Sequence, residues 1–406
     1  MRNLLLAALL GAAVPAGAAE VEPIIRAQLL GGQHFVGSER GALAGNLSFL
    51  AAPAVRFNGR WALLPTFSSA YQGTRRVVDL LGAGTLFQEQ MDHRVSLKAV
   101  HSPEGSLWRW KAGLGCRMEL LKETTDERWT RGLFDYQALE AGAEAEYVYR
   151  DPFSLRLTYD YAYTFFPNYR SLESQTAGDF TGQPLSRELA GDRVLDTYAN
   201  MLGAAFDLPF GDASSAQLSV RETQTLYPRQ PIVEESGLFS TDKRADYRTD
   251  LSASLRSPVE LGLDLRAVLA GSLSAASLIS NQNSYDARRT RFLSQYYNYL
   301  QVGVGGSVRI DWGDERQPVS AALSLALSRR TYPHRSVQDA SGTYQGETLR
   351  QNTWSLGADL RYPMAPHFAL LFELEHGRTT SNYGYAQFYR YDYAATDYLF
   401  GLQYEY

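Results

Sequence analysis

The stretch from Ser154 to Phe166 reads SLRLTYDYAYTFF and decides the fold class. Its odd-numbered positions, from Leu155 to Phe165, are all apolar or aromatic, and its even-numbered positions from Arg156 to Thr164 are polar or small. Because consecutive side chains of a β-strand point to opposite faces, residues i and i+2 share one face. The stretch therefore predicts a strand with one apolar face and one polar face.

The same alternation recurs along the chain, for example at 261–275, 319–328, 354–362 and 368–374. Short turn signals and longer polar stretches separate these strands and alternate with each other. The short signals are Asn58-Gly59, 102–105, 150–152, 209–214, 257–260, 313–318 and 363–366. The longer stretches are 72–90, 121–134, 167–192, 228–245, 281–293, 333–348 and 383–394. Short turns at one rim and long loops at the other are typical of antiparallel barrels in outer membranes.

Seven short turns imply fourteen strands. An opening strand near Ile24 to Phe35 and a final strand from Thr396 to Tyr406 raise the number to sixteen, within a range of fourteen to eighteen. We therefore predict an all-β fold, a transmembrane antiparallel up-and-down β-barrel of about 16 strands. The alternative is a soluble β-propeller, which also repeats short strands but needs no alternation of short and long loops.

The last residues, TDYLFGLQYEY, put Tyr398, Phe400, Leu402, Tyr404 and Tyr406 on one face and end on an aromatic residue. This ending resembles the C-terminal signal of Gram-negative outer-membrane β-barrels, and the inferred size is similar to that of porins. The resemblance implies a location in the outer membrane, with lipid and lipopolysaccharide around the barrel. It also implies that the barrel-assembly machinery recognises Tyr406. It leaves open whether the barrel is a monomer or a homo-oligomer.

Residues 1–20 read MRNLLLAALLGAAVPAGAAE, with Arg2 before a short apolar stretch and Ala16-Gly17-Ala18 after it. This pattern predicts a signal peptide over 1–18 and a single barrel domain over 19–406. Cys116 is the only cysteine of the 406 residues, which excludes an intramolecular disulfide and a cysteine-based metal cluster. The net charge of -5 and the lack of basic runs argue against nucleic acid as a partner. No cofactor or metal site is predicted.

If the apolar positions face lipid, the opposite positions line the lumen. The pore-lining residues predicted in this way are Arg94, Lys98, Arg109, Lys111, Arg117, Glu140, Glu144, Glu146, Arg156 and Asp160. Five of them should lie four to six residues from the periplasmic rim: Lys98, Arg109, Lys111, Glu144 and Glu146. Two interpretations remain open. The opposed charges create a transverse field that sets ion preference, or they only form ion pairs between neighbouring strands.

Catalysis has little support in the sequence, and no catalytic residues are predicted. The six histidines fall at rims, at lipid-facing positions or in the uncertain first strand, and no GxSxG or HExxH motif occurs. We expect a channel for small polar solutes or for an exported polymer such as a polysaccharide. The alternative is a structural or adhesive barrel whose external loops bind a partner, and a hydrolase is disfavoured. The stretch 167–192 either folds inward as a constriction or projects outward.

Overall fold

The computed structural model describes residues 19–37, 41–78, 85–149, 153–170, 176–178, 184–186, 189, 191–211, 213–262, 264–286, 291–314, 316–385 and 392–406. The signal peptide predicted over 1–18, the turn predicted at 150–152 and much of the loop at 167–192 lie outside these residues. No helix in the described ranges is long and apolar enough to cross a membrane.

The described residues form sixteen barrel strands. The first two strands are each interrupted once, at 23–24 and at 52–53. In chain order the strands are β1 (Glu20–Glu22 and Ile25–Val36), β2 (Ala42–Ala51 and Ala54–Arg56), β3 (Trp61–Gln72), β4 (Glu89–His101), β5 (Trp108–Lys122), β6 (Tyr136–Tyr147), β7 (Ser154–Phe165), β8 (Thr197–Phe210), β9 (Ser214–Val233), β10 (Phe239–Gly262), β11 (Leu265–Ser280), β12 (Tyr299–Trp312), β13 (Val319–Gln338), β14 (Tyr344–Ala365), β15 (Phe368–Ser381) and β16 (Tyr393–Glu405).

Every strand pairs antiparallel with its neighbours in sequence, and β1 pairs with β16 to close the barrel. The backbones of Ile25 and Tyr406 exchange two hydrogen bonds of 2.9 and 2.8 Å at the periplasmic end of this seam. The seam is tight, because a Cβ atom on Gly401 would lie 1.8 Å from the carbonyl oxygen of Leu29. The predicted fold class and strand number are confirmed, including the opening strand.

Large apolar side chains cover the outside of the barrel and are exposed there, among them Leu114 (70% exposed), Leu202 (61%) and Leu273 (61%). On β11 this outward set runs from Leu269 to Ile279, ten residues apart. At ~3.3 Å per residue and a tilt of ~40°, that band is about 25 Å tall, the height of a bilayer's hydrocarbon core. An exposed apolar surface of this extent requires a lipid environment.

Aromatic rings flank the band at both ends of the strands. The periplasmic side has ring pairs such as Trp108 with Tyr147 at 5.3 Å and Phe368 with Tyr404 at 5.1 Å. Towards the external side, the rings of Tyr163 and Tyr198 stack at 4.8 Å. Such girdles mark the two interfaces between membrane and water.

One predicted turn is wrong, and two others are shifted. Residues 257–260 do not turn but belong to β10, and the chain reverses after Gly262 instead. Gly262 has a φ of 81° and Asp264 a φ of 58°, the left-handed backbone that a tight hairpin requires. The strands flanking the predicted turns at 209–214 and 363–366 likewise extend into those segments, to Phe210 and Ala365.

The stretches 228–245 and 333–348 were predicted as loops, and this prediction is wrong. Most of each stretch continues β9 and β10, or β13 and β14, as a paired hairpin, with tips at 234–238 and 339–343. The register shifts between Leu226 and Pro231 and between Tyr332 and Ser336. A bulge of this kind breaks the period of two, so alternation no longer identifies the strand beyond it.

Asp339 closes the tip of the second hairpin. Its carboxylate accepts hydrogen bonds from the Ser341 hydroxyl at 2.6 Å and from the backbone N–H groups of Ser341 and Thr343 at 2.9 Å. These donors hold the pKa of the exposed Asp339 carboxyl below its usual value, the Ser341 hydroxyl contributing most.

Candidate functional site on the inner wall

The ten residues predicted to line the pore all lie on the face opposite to the apolar band. The register puts Lys111 directly opposite Glu144 and Arg109 opposite Glu146 on the neighbouring strand. Because side chains alternate between faces, the other members on β4 to β7 share this inner face. The structure therefore brings the predicted basic and acidic positions together on one part of the wall.

A dense ion-pair belt occupies the periplasmic end of β4 to β8. Lys111 Nζ lies 2.6 Å from Glu144 Oε1 and 2.9 Å from Glu146 Oε2. Arg109 Nη1 is 3.4 Å from Glu146, and Lys98 Nζ is 3.7 Å from Glu144. Further along the wall, Arg156 bridges Glu144 at 4.0 Å and Asp207 at 3.6 Å. The belt thus holds four cations and three carboxylates.

A second group of charges lies further from the periplasmic rim. Arg94 pairs with Glu140 at 2.5 Å across two strand boundaries. Arg117 contacts Asp92 at 2.9 Å and Glu119 at 2.7 Å. Asp160 makes no ion pair with the described residues, and its carboxylate lies over Gly142, where a Cβ atom would be 2.3 Å away.

The belt lies close to the periplasmic ends of its strands. Its residues on β4 to β6 lie within three positions of the strand ends, and Lys98, Arg109 and Lys111 lie four to six residues from the turn at 102–105, the reference used for the prediction. The contacts also correspond to the second interpretation, local ion pairs between neighbouring strands. Each carboxylate of the belt has a cation within 4.0 Å, so the strips of opposite charge largely neutralise each other where they stand.

On the same side of the barrel, residues at the bases of three external loops pack against one another. Phe87, Leu121, Phe134, Phe166 and Val194 form a buried cluster above the charged wall. Side chains lock the loops to the strands. Asp135 accepts hydrogen bonds from the N–H groups of Leu121 (2.8 Å) and Gly132 (3.0 Å), and Asp196 accepts one from Phe166 (2.9 Å). Whether the middle of the stretch 167–192 folds inward falls outside the described residues.

The wall formed by β8 to β13 carries an arginine–tyrosine pocket, a cavity of about 430 Å³ on the inner face. The Arg244 guanidinium is stacked 4.4 Å from the ring centre of Tyr227 and 4.5 Å from that of Tyr297. Arg335 is held in the same way by Tyr296 and Tyr332, at 4.1 and 4.0 Å. Such cation–π contacts hold the guanidinium planes in place.

Four arginines and two aspartates line this pocket: Arg221, Arg244, Arg248, Arg335, Asp246 and Asp250. Arg244 and Arg248 are each bound by the aspartate two residues later, at 2.7 Å in both cases. Arg221 is exposed and makes no ion pair with the residues that the structure describes. The described lining therefore has more positive than negative side chains.

This pocket was not predicted from the sequence, because Arg244 and Arg335 fall in 228–245 and 333–348, which were predicted as loops. A signal was nevertheless present. In RADYRTD, residues 244–250, Arg244, Asp246, Arg248 and Asp250 follow each other at every second position, as expected for a strand with a charged face.

Short side chains occupy the inner face of the middle of β11 to β14. They are Ser272, Ser274, Gly303, Gly305, Ser324, Ser328 and Gly357. The hydroxyl oxygens of Ser272, Ser274 and Ser324 lie within 2.8 Å of where Cβ atoms of the facing glycines would be. This small-residue strip leaves the lumen beside it free of long side chains.

A further inner-face patch, on β14 and β15, is acidic. Asp359, Glu373 and Glu375 point inward, and none of the three forms an ion pair with the described residues. Glu373 accepts a hydrogen bond of 2.7 Å from Gln28 across the closing seam. Arg361 lies on the same face of β14, two residues from Asp359, so the described charges here are three carboxylates and one arginine.

Two histidines have partners of the kind found in hydrolases. His34, in the first strand, is buried on the inner face and contacts the carboxylate of Asp397. His93 Nδ1 lies 2.9 Å from the Ser69 hydroxyl, but both side chains are on the outward face. Among the described residues no carboxylate pairs with His93, so these positions do not assemble a nucleophile, a base and an acid.

Comparisons with known proteins give structural likenesses only. No family model and no curated protein matches the chain. Among solved structures, the chain is similar to a bacterial polysaccharide outer membrane secretin, with 8% identity, a TM-score of 0.45 and 94% and 98% of the two chains covered. OccD3 (OpdP) of Pseudomonas aeruginosa has 10% identity, a TM-score of 0.47 and coverages of 96% and 93%. OccAB1 of Acinetobacter baumannii has 10% identity, a TM-score of 0.46 and coverages of 95% and 96%.

These likenesses are too weak to carry a function, and the architecture rests on the strand register and the outer surface. A closed barrel leaves no strand edge unpaired, as a membrane-spanning sheet requires. Sixteen antiparallel strands, an apolar band about 25 Å tall and two aromatic girdles are the features of a barrel that crosses the outer membrane. The chain is a closed sixteen-strand antiparallel β-barrel whose outer surface is that of a membrane-spanning protein.

Proposed function

We propose that the protein is a passive channel for small polar solutes. The observation that carries the proposal is the polar inner wall, which is lined by the ion-pair belt on one side and by the small-residue strip on the other. Sixteen strands about 4.8 Å apart and tilted by ~40° form a barrel of radius about 16 Å, wide enough for a water-filled lumen. Export of a polymer such as a polysaccharide uses the same kind of lumen.

A second candidate function has its own observation. The hairpins β9–β10 and β13–β14 extend beyond the predicted loop boundaries, with strands of 20 to 24 residues, and reach external tips at 234–238 and 339–343. This second candidate is a structural or adhesive barrel, in which the projecting hairpins bind a partner and the lumen carries no flux.

Planar-bilayer recording of the purified full chain tests the proposal. We expect discrete conductance steps. Replacing Ser272 and Ser324 together by Trp should lower the conductance, because both side chains of this variant enter the lumen. The matched control replaces the adjacent outward residues Leu273 and Leu325 by Trp and should leave the conductance unchanged.

Absence of steps from the folded wild-type protein would overturn the channel proposal and favour the partner-binding barrel. Equal effects of the inward and outward pairs would contradict the assigned path along the strip.

A further inference from the structure

Three arginines lie on the outer wall of the barrel without a carboxylate partner. They are Arg329 on β13, Arg350 on β14 and Arg378 on β15, and all three are exposed. None of them forms an ion pair or a side-chain hydrogen bond with the described residues. An unpaired guanidinium on a lipid-facing surface is costly unless something outside the chain compensates its charge.

The register establishes that these arginines point outward. Arg378 is opposite Trp354, which is itself opposite the exposed Leu327. One row further towards the external side, Arg329 is opposite Asn352, and in the next row Arg350 is opposite Thr331. The three side chains therefore start from adjacent strands and consecutive rows, with separations of about 8 to 14 Å between their backbone positions.

The patch lies at the external edge of the apolar band. On β13 the outward residues Leu323, Leu325 and Leu327 are all exposed, and Arg329 follows directly in the same series. In the row of Arg378, the Trp354 ring packs 4.9 Å from the ring of His376, as an aromatic girdle does at the interface. The arginines thus stand at the level of lipid headgroups rather than of acyl chains.

The surroundings favour an anion. Asn352 and the hydroxyls of Thr331 and Thr380 share the outward face with the arginines and can donate further hydrogen bonds. The nearby carboxylate of Glu347 accepts a hydrogen bond of 3.2 Å from Asn382. By contrast, the outward cation on the other side of the barrel, Lys122, is buried and paired with Glu89 at 3.1 Å.

We propose that Arg329, Arg350 and Arg378 bind the phosphate groups of an anionic lipid of the outer leaflet, the phosphorylated glucosamine head of a lipopolysaccharide. Guanidinium groups bind phosphate oxygens through paired, charge-assisted hydrogen bonds. The lipid's acyl chains would lie along the apolar band directly below. This site is independent of any flux through the lumen.

Native mass spectrometry of the full chain in detergent, titrated with bis-phosphorylated lipid A, tests the site. The R329Q/R350Q/R378Q variant should bind this lipid on the order of a hundredfold more weakly than the wild type, since each basic residue near an anionic surface contributes about fivefold. The matched control, R256Q/R266Q/R361Q, loses the same charge from the inner face and should bind as the wild type does.

The same lipid without its phosphates serves as the second probe and should bind all three proteins equally weakly. Full affinity in the outer-face variant would overturn the proposal. So would an equal loss in the inner-face control, or equal wild-type affinity for the dephosphorylated lipid. If the triple variant does not fold, the R329Q/R378Q pair is measured instead, with a smaller loss expected and the same refuting outcomes.

Discussion

Replacing Lys111 by Gln should make the channel more selective for cations. Lys111 contacts both Glu144 (2.6 Å) and Glu146 (2.9 Å) and is itself only 18% exposed. Its removal leaves the belt with the cations Lys98, Arg109 and Arg156 and the same three carboxylates. The net charge of the belt then falls from about +1 to zero, while the neighbouring carboxylates lose their shortest contact.

The size of the effect follows from electrostatics. A unit charge about 7 Å from an ion in water contributes about 0.6 kcal/mol, and a Debye length of ~10 Å at 0.1 M salt halves this to about 0.3 kcal/mol. A cation gains this energy and an anion loses it. The permeability ratio should therefore change by about 0.6 kcal/mol, which is roughly threefold.

The measurement is the reversal potential of single channels or many-channel membranes in a salt gradient. E144Q should shift the potential in the opposite direction by a similar amount. The swapped pair K111E/E144K preserves the net charge and should restore a value near that of the wild type. Unchanged potentials in both single variants, in a protein that conducts, would refute the assignment of the belt to the ion path.

Three further predictions concern the stability of the barrel. G401A should destabilise the closing seam by about 3 kcal/mol, the upper end for overpacking. G31A should have little effect, because nothing lies within 4 Å of its new methyl group. The free energy of unfolding is measured from urea titrations in micelles, and equal losses in the two variants would contradict the close approach at Gly401. D246N should lower the free energy of unfolding by roughly 3 to 5 kcal/mol, because it leaves the buried Arg244 without its carboxylate. D250N, beside the half-exposed Arg248, should lower it by at most about 1 kcal/mol. Equal losses in the two variants would contradict the difference in burial. The pKa of Asp339 is lowered in the folded protein, so its stabilisation of the hairpin tip is present above the ordinary aspartate pKa and is lost as the pH falls through the lowered pKa. Hydrogen exchange at 339–343 should therefore accelerate at low pH in the wild type. D339N should abolish this pH dependence.

The period of two was sufficient to assign faces, because a strand's alternation survives wherever its pairing is regular. It correctly separated Lys111 and Glu144 from Trp110 and Leu114, without any knowledge of the register. The positions of the turns were less accessible, because Pro258 signals a turn in the sequence before the chain reverses after Gly262. Beyond a bulge, as in β9 after Leu226, the alternation itself changes phase.

Contacts between segments that are far apart in sequence could not be read at all. Arg335 donates a hydrogen bond of 2.7 Å to the carbonyl oxygen of Tyr296, 39 residues away, and stacks on the ring of the same residue. No local pattern in either segment identifies the other as a partner. The arginine–tyrosine pocket therefore depends on tertiary structure, even though the charged alternation of 244–250 is visible in the sequence.

Unpaired charges on opposite sides of the inner wall can still produce a field across the lumen. Ion pairs cancel most of the field between neighbouring strands β4 to β6, leaving the belt with about one net positive charge. The acidic patch of Asp359, Glu373 and Glu375 lies on β14 and β15, about half of the circumference away from β6. Because none of these three carboxylates is paired within the described residues, they oppose the belt across the lumen rather than along the wall. The small-residue strip between the two regions lets a solute approach both. If the barrel conducts, we expect its ion preference to follow the net charge of the two sides that face each other across the lumen rather than any single ion pair.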